Sequence, residues 1–301
     1  MKLLLLGAQG QLGQALGRAL APLGEVVALG RQPWRGLSGD LADPAALQRT
    51  VRAVAPDVIV NAAAYTAVDR AEQEPESAWQ VNAEAPGLLA REMRASRGWL
   101  VHYSSDYVFD GQEGAPYAED SPAAPLNQYG RSKLAGDEAV AASGAHHLVL
   151  RSGWVYGLQG ENFPRTVLRL AASQPVLRMV DDQVGAPTGA DLIADVTAHA
   201  LRRLRPGRSG LYHLAAGGAV SRLDYARHVV AQARALGRPL GLREITAVSS
   251  ACYPTPAVRP LDTRLDCARL QAVFGLRLPP WREGIDRLLR QWCASPWADA
   301  P

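Results

Sequence analysis

The sequence predicts an α/β protein: a Rossmann-type, doubly wound parallel sheet with a smaller, interwoven C-terminal lobe. Three observations carry this. In the first half, short strands apolar on both faces alternate with helical patterns. A glycine-rich turn joins the first strand directly to the first helix. After about residue 155 the rhythm loosens, yet no linker, repeat or low-complexity stretch separates the two halves.

The elements follow in order. Residues 3–6 are an all-leucine strand, and Leu12, Ala15, Leu16, Ala19, Leu20 and Leu23 then recur at helical spacing. Strands are expected at 26–29, 57–61, 99–104 and 148–152, with helices at 45–54, 76–94 and 129–142 between them. A third-strand position is expected to end at Gly39-Asp40-Leu41. Beyond it, helices are expected at 163–172, 190–204 and 284–292, and strands at 176–180, 211–214 and 244–248. Ser221 and Asp224 resemble a capping box opening a helix to Leu236. Residues 253–260 hold three prolines and read as a surface loop. The domain expectation is a dinucleotide-binding domain at 1–155, completed by parts of 176–215, a substrate-binding lobe at 156–292, and a tail at 293–301.

Bulk properties exclude several classes. With 48% hydrophobic residues the 301-residue chain can bury a large core. A net charge of +3, without a dense Lys/Arg run, argues against a nucleic-acid partner. Cys252, Cys267 and Cys293 form no CxxC pair or disulfide framework, which suits a reducing, cytoplasmic setting. The apolar run at the start is too short for a secretion signal, and no stretch is long enough for a bilayer span. No HExxH or HxxxH pattern occurs, so no metal site is expected.

Gly7-Ala8-Gln9-Gly10-Gln11-Leu12-Gly13 has the order a dinucleotide turn needs. Gly7 allows the tight turn, Gly10 lets a pyrophosphate approach, and Gly13 lets the helix pack on the sheet. The helix N-terminus then offers free N–H groups to phosphate. Arg31, after the second strand, stands where an acidic residue would select NAD, and it suits the 2′-phosphate of NADP instead. Asp40 is expected against the adenine amino group. The small residues Asn61-Ala62-Ala63-Ala64 would let the cofactor cross the sheet edge.

Tyr129 and Lys133 fall on one helical face at i, i+4. A phenol titrates near ~10, and a lysine ammonium one turn away favours its anion. The strand ending Val101-His102-Tyr103-Ser104-Ser105-Asp106 places hydroxyls at the carboxyl edge of the sheet. Alternation sends Ser104 and Ser105 in opposite directions, and Ser105 is the choice for bonding a substrate carbonyl.

These residues resemble one family along nearly the whole chain, to about Trp292. The resemblance lies in Tyr103 to Gly111 (YSSDYVFDG), Asn61 to Asp69 (NAAAYTAVD), Pro125 to Gly130 (PLNQYG), Arg151 to Gly157 (RSGWVYG), Asp182 to Thr188 (DQVGAPT) and Pro254 to Pro260 (PTPAVRP). Together they are similar to the dTDP-4-dehydrorhamnose reductases, extended short-chain dehydrogenases/reductases. The resemblance implies NADPH-dependent reduction of dTDP-4-dehydro-L-rhamnose to dTDP-L-rhamnose, with NADH a possible cofactor. It implies that Tyr129 gives the proton, Lys133 orients the nicotinamide ribose, and Ser105 polarises the ketone. Asp106 and Trp154 would contact the sugar, and Arg259 the diphosphate. Gln11, Leu12, Asp40, Leu41, Ala63, Ala64, Tyr65 and Tyr103 would line the cofactor. Two departures stand out: the family often has threonine at the place of Ser105, and Ala15 stands where some members carry a carboxylate for a metal-bridged dimer. A monomer or a metal-free homodimer is expected. The rival readings are another nucleotide-sugar 4-keto reductase or epimerase on this fold, and a non-catalytic regulatory subunit of methionine adenosyltransferase.

Overall fold

The structure, a computed structural model, describes residues 1–294. Five parallel strands form most of the central sheet: β1 (Lys2–Leu6), β2 (Glu25–Leu29), β3 (Val58–Asn61), β4 (Trp99–Ser105) and β5 (His146–Ser152). Helices α1 (Gln11–Leu20), α2 (Pro44–Val54), α3 (Val68–Ala71), α4 (Pro75–Trp79), α5 (Ala85–Ser96) and α6 (Gln128–Ala142) lie between them. The second half contributes β6 (Val155–Tyr156), α7 (Phe163–Ser173), β7 (Val176–Val180), β8 (Val184–Gly185), β9 (Thr188–Gly189), α8 (Ala190–Leu201) and β10 (Gly210–His213). It ends with β11 (Val220–Ser221), α9 (Arg222–Ala235), β12 (Glu244–Val248), α10 (Ala268–Phe274) and α11 (Trp281–Ala294).

The sheet order is β10-β5-β4-β3-β1-β2, so the chain reverses its direction of winding at β1. In open α/β sheets that point, at the carboxyl ends of the strands, is where ligands bind. Alternation along each strand builds two cores. Leu3, Leu5, Val58, Val60, Val101 and Leu148 face α1 and α8, whereas Leu4, Leu6, Ile59, Leu100 and Val149 face α2 and α5. Each fully buried leucine contributes roughly 1.5–3 kcal/mol. A third cluster joins α7, α9 and α11 around Tyr225, Ile285 and Trp281.

Four elements differ from the sequence reading. No strand ends at Gly39-Asp40-Leu41: Pro33 precedes a turn in which Arg35 and Gly36 take φ of 50° and 78°, so this stretch cannot extend, and β2 is the sheet edge. The long helix expected at 76–94 is interrupted by a π-turn at Gln80–Glu84 between α4 and α5. Helix α8 stops at Leu201, with turns at 202–203. Finally, Cys293 and Ala294 still belong to α11; the rest of the expected tail lies outside the described residues. No described helix is long and apolar enough to cross a membrane.

Candidate active site

The glycine turn is shaped by contacts that only glycine permits. Gly7 has φ of 78°, and a Cβ on Gly13 would fall 2.0 Å from the Gly7 carbonyl oxygen. Gly10 is exposed, with only that carbonyl, 3.4 Å away, near its missing side chain. No side chain caps the N-terminus of α1, which leaves its first N–H groups directed at the open edge. This geometry fits a pyrophosphate. The Gln11 amide donates to the Glu161 carbonyl at 3.0 Å and accepts from Asn162 at 3.0 Å, tying the turn to the second half. Leu12 packs against the sheet core. Gly13→Ala is expected to weaken NADPH binding by at least ~10-fold, because backbone must move to admit the methyl group. A fluorescence titration measures this, and an unchanged Kd would count against the fit.

Other cofactor candidates are less uniform. Arg31 is exposed in the bend after β2. Asp40 caps its own turn, its carboxylate accepting from Ala42 N–H at 3.0 Å. Leu41 is buried in the core, so its side chain serves packing. Ala63 and Ala64 follow β3, and Gly7 lies against the Ala62–Ala63 peptide. The Tyr65 backbone is clamped by Asn82, which accepts from its N–H at 2.9 Å and donates to its carbonyl at 3.0 Å. The Tyr65 hydroxyl turns aside to Glu74 at 2.7 Å. The Tyr103 hydroxyl lies in the core against Thr197 at 2.7 Å, and only its carbonyl faces the site.

Ser105, Tyr129 and Lys133 come together at the end of β4. Asn127 caps α6 by accepting from Gly130 N–H at 2.8 Å, and it donates to the Val258 carbonyl at 2.8 Å. Gly130 lets α6 approach the turn after β4, since a Cβ there would lie 2.2 Å from the Tyr107 carbonyl oxygen. The Ser105 hydroxyl donates to Asp106 at 3.1 Å, accepts from Tyr107 N–H at 3.1 Å, and lies in hydrogen-bonding reach of the Tyr129 phenol. Ser104 points the other way, buried beside Asp137, as alternation requires. Lys133 Nζ donates to the Tyr103 carbonyl at 2.6 Å.

Burial dominates the electrostatics of the site. Burial pushes the Tyr129 phenol above its usual range, with the Ser105 bond opposing. Lys133, one helical turn away, directs its ammonium to the Tyr103 carbonyl. Burial lowers Lys133 itself to about 8, with Asp137 acting against the fall. Asp137, one turn further along α6, is buried in a 2.9 Å ion pair with Arg151 of β5. Burial also raises Asp106 to about 6, opposed by Thr263, Ser105 and Arg222.

Trp154 has φ of 49°, a rare conformation for a bulky residue, and Gly185 makes room for its indole. Arg222 lies over that ring, 3.5 Å from its centroid. Arg259 pairs with Asp69 at 2.8 Å. Among the described residues no acidic, histidine and cysteine side chains cluster as a metal site. A cavity of about 530 Å³ between α1, α8 and α11 borders Gln11, Ala15 and Asp191, but Ser105, Tyr129 and Lys133 do not line it. Sequence reasoning missed Asn82, Asp137, Arg151, Arg222 and Thr263. Of these, Asp137 carried a signal at i+4 from Lys133, and Arg151 opened one of the matching stretches.

The family model for the RmlD substrate binding domain matches residues 1–293. A dTDP-4-dehydrorhamnose reductase of Escherichia coli K12 is 46% identical over 293 residues, covering 97% of this chain and 98% of that protein. The chain belongs to the dTDP-4-dehydrorhamnose reductase family. Solved members superpose closely. The Clostridium acetobutylicum reductase has a TM-score of 0.88 at 29% identity, covering 97% of this chain and 99% of its own. The Bacillus anthracis reductase, solved with NADP, has a TM-score of 0.87 at 29% identity, covering 96% and 99%. Within this family, serine at 105 keeps the hydroxyl that the expected threonine would supply.

Proposed function

We propose that this chain reduces dTDP-4-dehydro-L-rhamnose to dTDP-L-rhamnose with NADPH. The observation that carries the reading is the meeting of Ser105, Tyr129 and Lys133 at the sheet edge beside an uncapped, glycine-lined helix N-terminus. Near-full-length identity to a reductase of that name supports the substrate, and the NADP complex of a relative supports the cofactor. Residues 1–155, with β10 completing the sheet, hold the dinucleotide; 156–292 hold the nucleotide sugar.

When bound, NADPH supplies the hydride that adds to C4 of the sugar. Gly7, Gly10, Gln11, Leu12 and Gly13 hold its pyrophosphate, and Arg31 its 2′-phosphate. The chain's own work is to stabilise the charge developing on the C4 oxygen. Ser105 donates a hydrogen bond to that oxygen, and Tyr129 delivers its proton there. A phenol held above its usual range stays protonated at neutral pH, which suits an acid waiting for a strongly basic alkoxide. Lys133 orients the ribose and keeps a positive charge near the phenol as it loses its proton. Asp106 and Trp154 position the sugar.

The test is loss of nicotinamide absorbance with NADPH or NADH against a panel of nucleotide 4-ketosugars. Turnover fastest with the dTDP sugar and NADPH is expected; turnover with none of them would sink the reading. A pH profile adds a second check. Lys133 titrates below its ordinary value, at about 8, so its charge is present below that pH and lost above it. Accordingly kcat/KM should fall as pH rises through about 8. A profile flat through that region would show that the lysine charge is not needed.

A further inference from the structure

Arg222 opens α9, and its backbone N–H donates to the Gln183 carbonyl at 3.0 Å. Its guanidinium lies 3.5 Å from the Trp154 ring centroid and 5.0 Å from that of Phe163, and it neighbours the Tyr107 side chain. It sits deep among these rings, yet part of its surface stays open. Among the described residues no carboxylate forms an ion pair with it, although Asp106 is close enough to feel its charge. Three other enclosed arginines differ: Arg151 pairs with Asp137, Arg259 with Asp69, and Arg264 with Asp262. An enclosed guanidinium held by ring faces beside one neutral hydroxyl leaves most of its five donors unused.

Trp154 keeps a strained φ of 49°, and Gly185 is needed there because a Cβ would come within 2.5 Å of the indole. Arg259 approaches the same Tyr107 ring, 5.8 Å from its centroid. Two guanidinium groups thus converge on Tyr107, one neutralised by Asp69 and one without a paired anion.

We infer that Arg222 is a substrate-binding residue that takes the diphosphate of the nucleotide sugar, its guanidinium held in place by the Trp154 ring. The inference rests on the nucleotide-sugar reading above. The reacting carbon has to lie at Ser105 and Tyr129, and Arg222 neighbours Tyr107, Trp154 and Asp106, so it flanks the sugar whose C1 carries the diphosphate. A planar fork of donors matches phosphate oxygens in a way that a point charge does not. The cofactor's phosphates are served separately by the glycine turn, so Arg222 is not needed for NADPH.

The experiment is calorimetric titration of the full chain with dTDP, thymidine and NADPH in wild type, Arg222→Gln and Arg222→Lys. Loss of a charge-assisted phosphate contact should weaken dTDP binding about 10-fold or more in Arg222→Gln, with thymidine and NADPH unchanged. Arg222→Lys keeps the charge but not the fork, and should fall between the two. Raising salt should weaken dTDP binding less in Arg222→Gln than in wild type. A dTDP affinity equal to wild type in Arg222→Gln overturns the inference. If that variant fails to fold, equal affinity in Arg222→Lys overturns it instead. Should wild type reduce the dTDP sugar while either result holds, only the role of Arg222 is lost. Should wild type neither bind dTDP nor reduce the sugar, the nucleotide-sugar reading falls as well.

Discussion

Tyr129→Phe is expected to lower kcat by about 10²- to 10⁴-fold, the usual contribution of a positioned general acid. The change removes one oxygen and leaves the ring, so the edge-on contact with Tyr107 survives, at 5.9 Å between centroids. Lys133 loses nothing, because its ammonium bonds the Tyr103 carbonyl and not the phenol. NADPH affinity should therefore stay near wild type, and the whole loss should appear in turnover. Ser105 would still offer a donor to the C4 oxygen, so some activity should remain. Stopped-flow turnover with a parallel cofactor titration measures both. Wild-type kcat in this variant would remove Tyr129 from the mechanism.

Asp137→Ala is expected to cost about 3–5 kcal/mol of stability, because it strands the buried Arg151 charge. Both side chains of that pair are only 6% exposed, so water cannot take over the lost partner. Urea unfolding reads the cost. The double variant Asp137→Leu/Arg151→Met should recover much of it, since an apolar pair of similar volume needs no compensating charge. Activity should not recover in the same way. Asp137 opposes the burial that lowers Lys133, so without it the lysine titrates still lower and its charge is lost at a lower pH. The basic limb of kcat/KM should accordingly move toward neutrality in the stable double variant. A limb that stays in place would leave Asp137 as a structural residue only.

Much of this was legible in the sequence because local rules dominated. Leu3 to Leu6 reads as a strand buried on both faces, and both cores use its alternating side chains. The order of Gly7, Gly10 and Gly13 matches the turn they form, and strand end and helical spacing bring Ser105, Tyr129 and Lys133 to one edge of the sheet. What the sequence hid depends on contacts between distant residues or on backbone detail. The π-turn at Gln80–Glu84 places Asn82 against Tyr65 and Ser132, and a one-residue widening of a helix leaves no compositional mark. Arg222 meets Trp154 across 68 positions, and no periodicity links them. The missing strand before Gly39 had an apolar residue, Leu37, but Pro33 and the left-handed Arg35 and Gly36 override it. Spacing on a helix fixes a face but not the partner an ammonium chooses, and Lys133 bonds the Tyr103 backbone carbonyl.

Hydride arrival and proton delivery at one carbonyl leave an isotopic trace. With NADPH carrying deuterium at its transferable position and dTDP-4-dehydro-L-rhamnose as acceptor, the proton spectrum of the product should lack the H4 signal and keep all other ring signals. An H4 signal at full intensity, or deuterium at any other ring carbon, would contradict the chemistry assigned to Ser105, Tyr129 and Lys133.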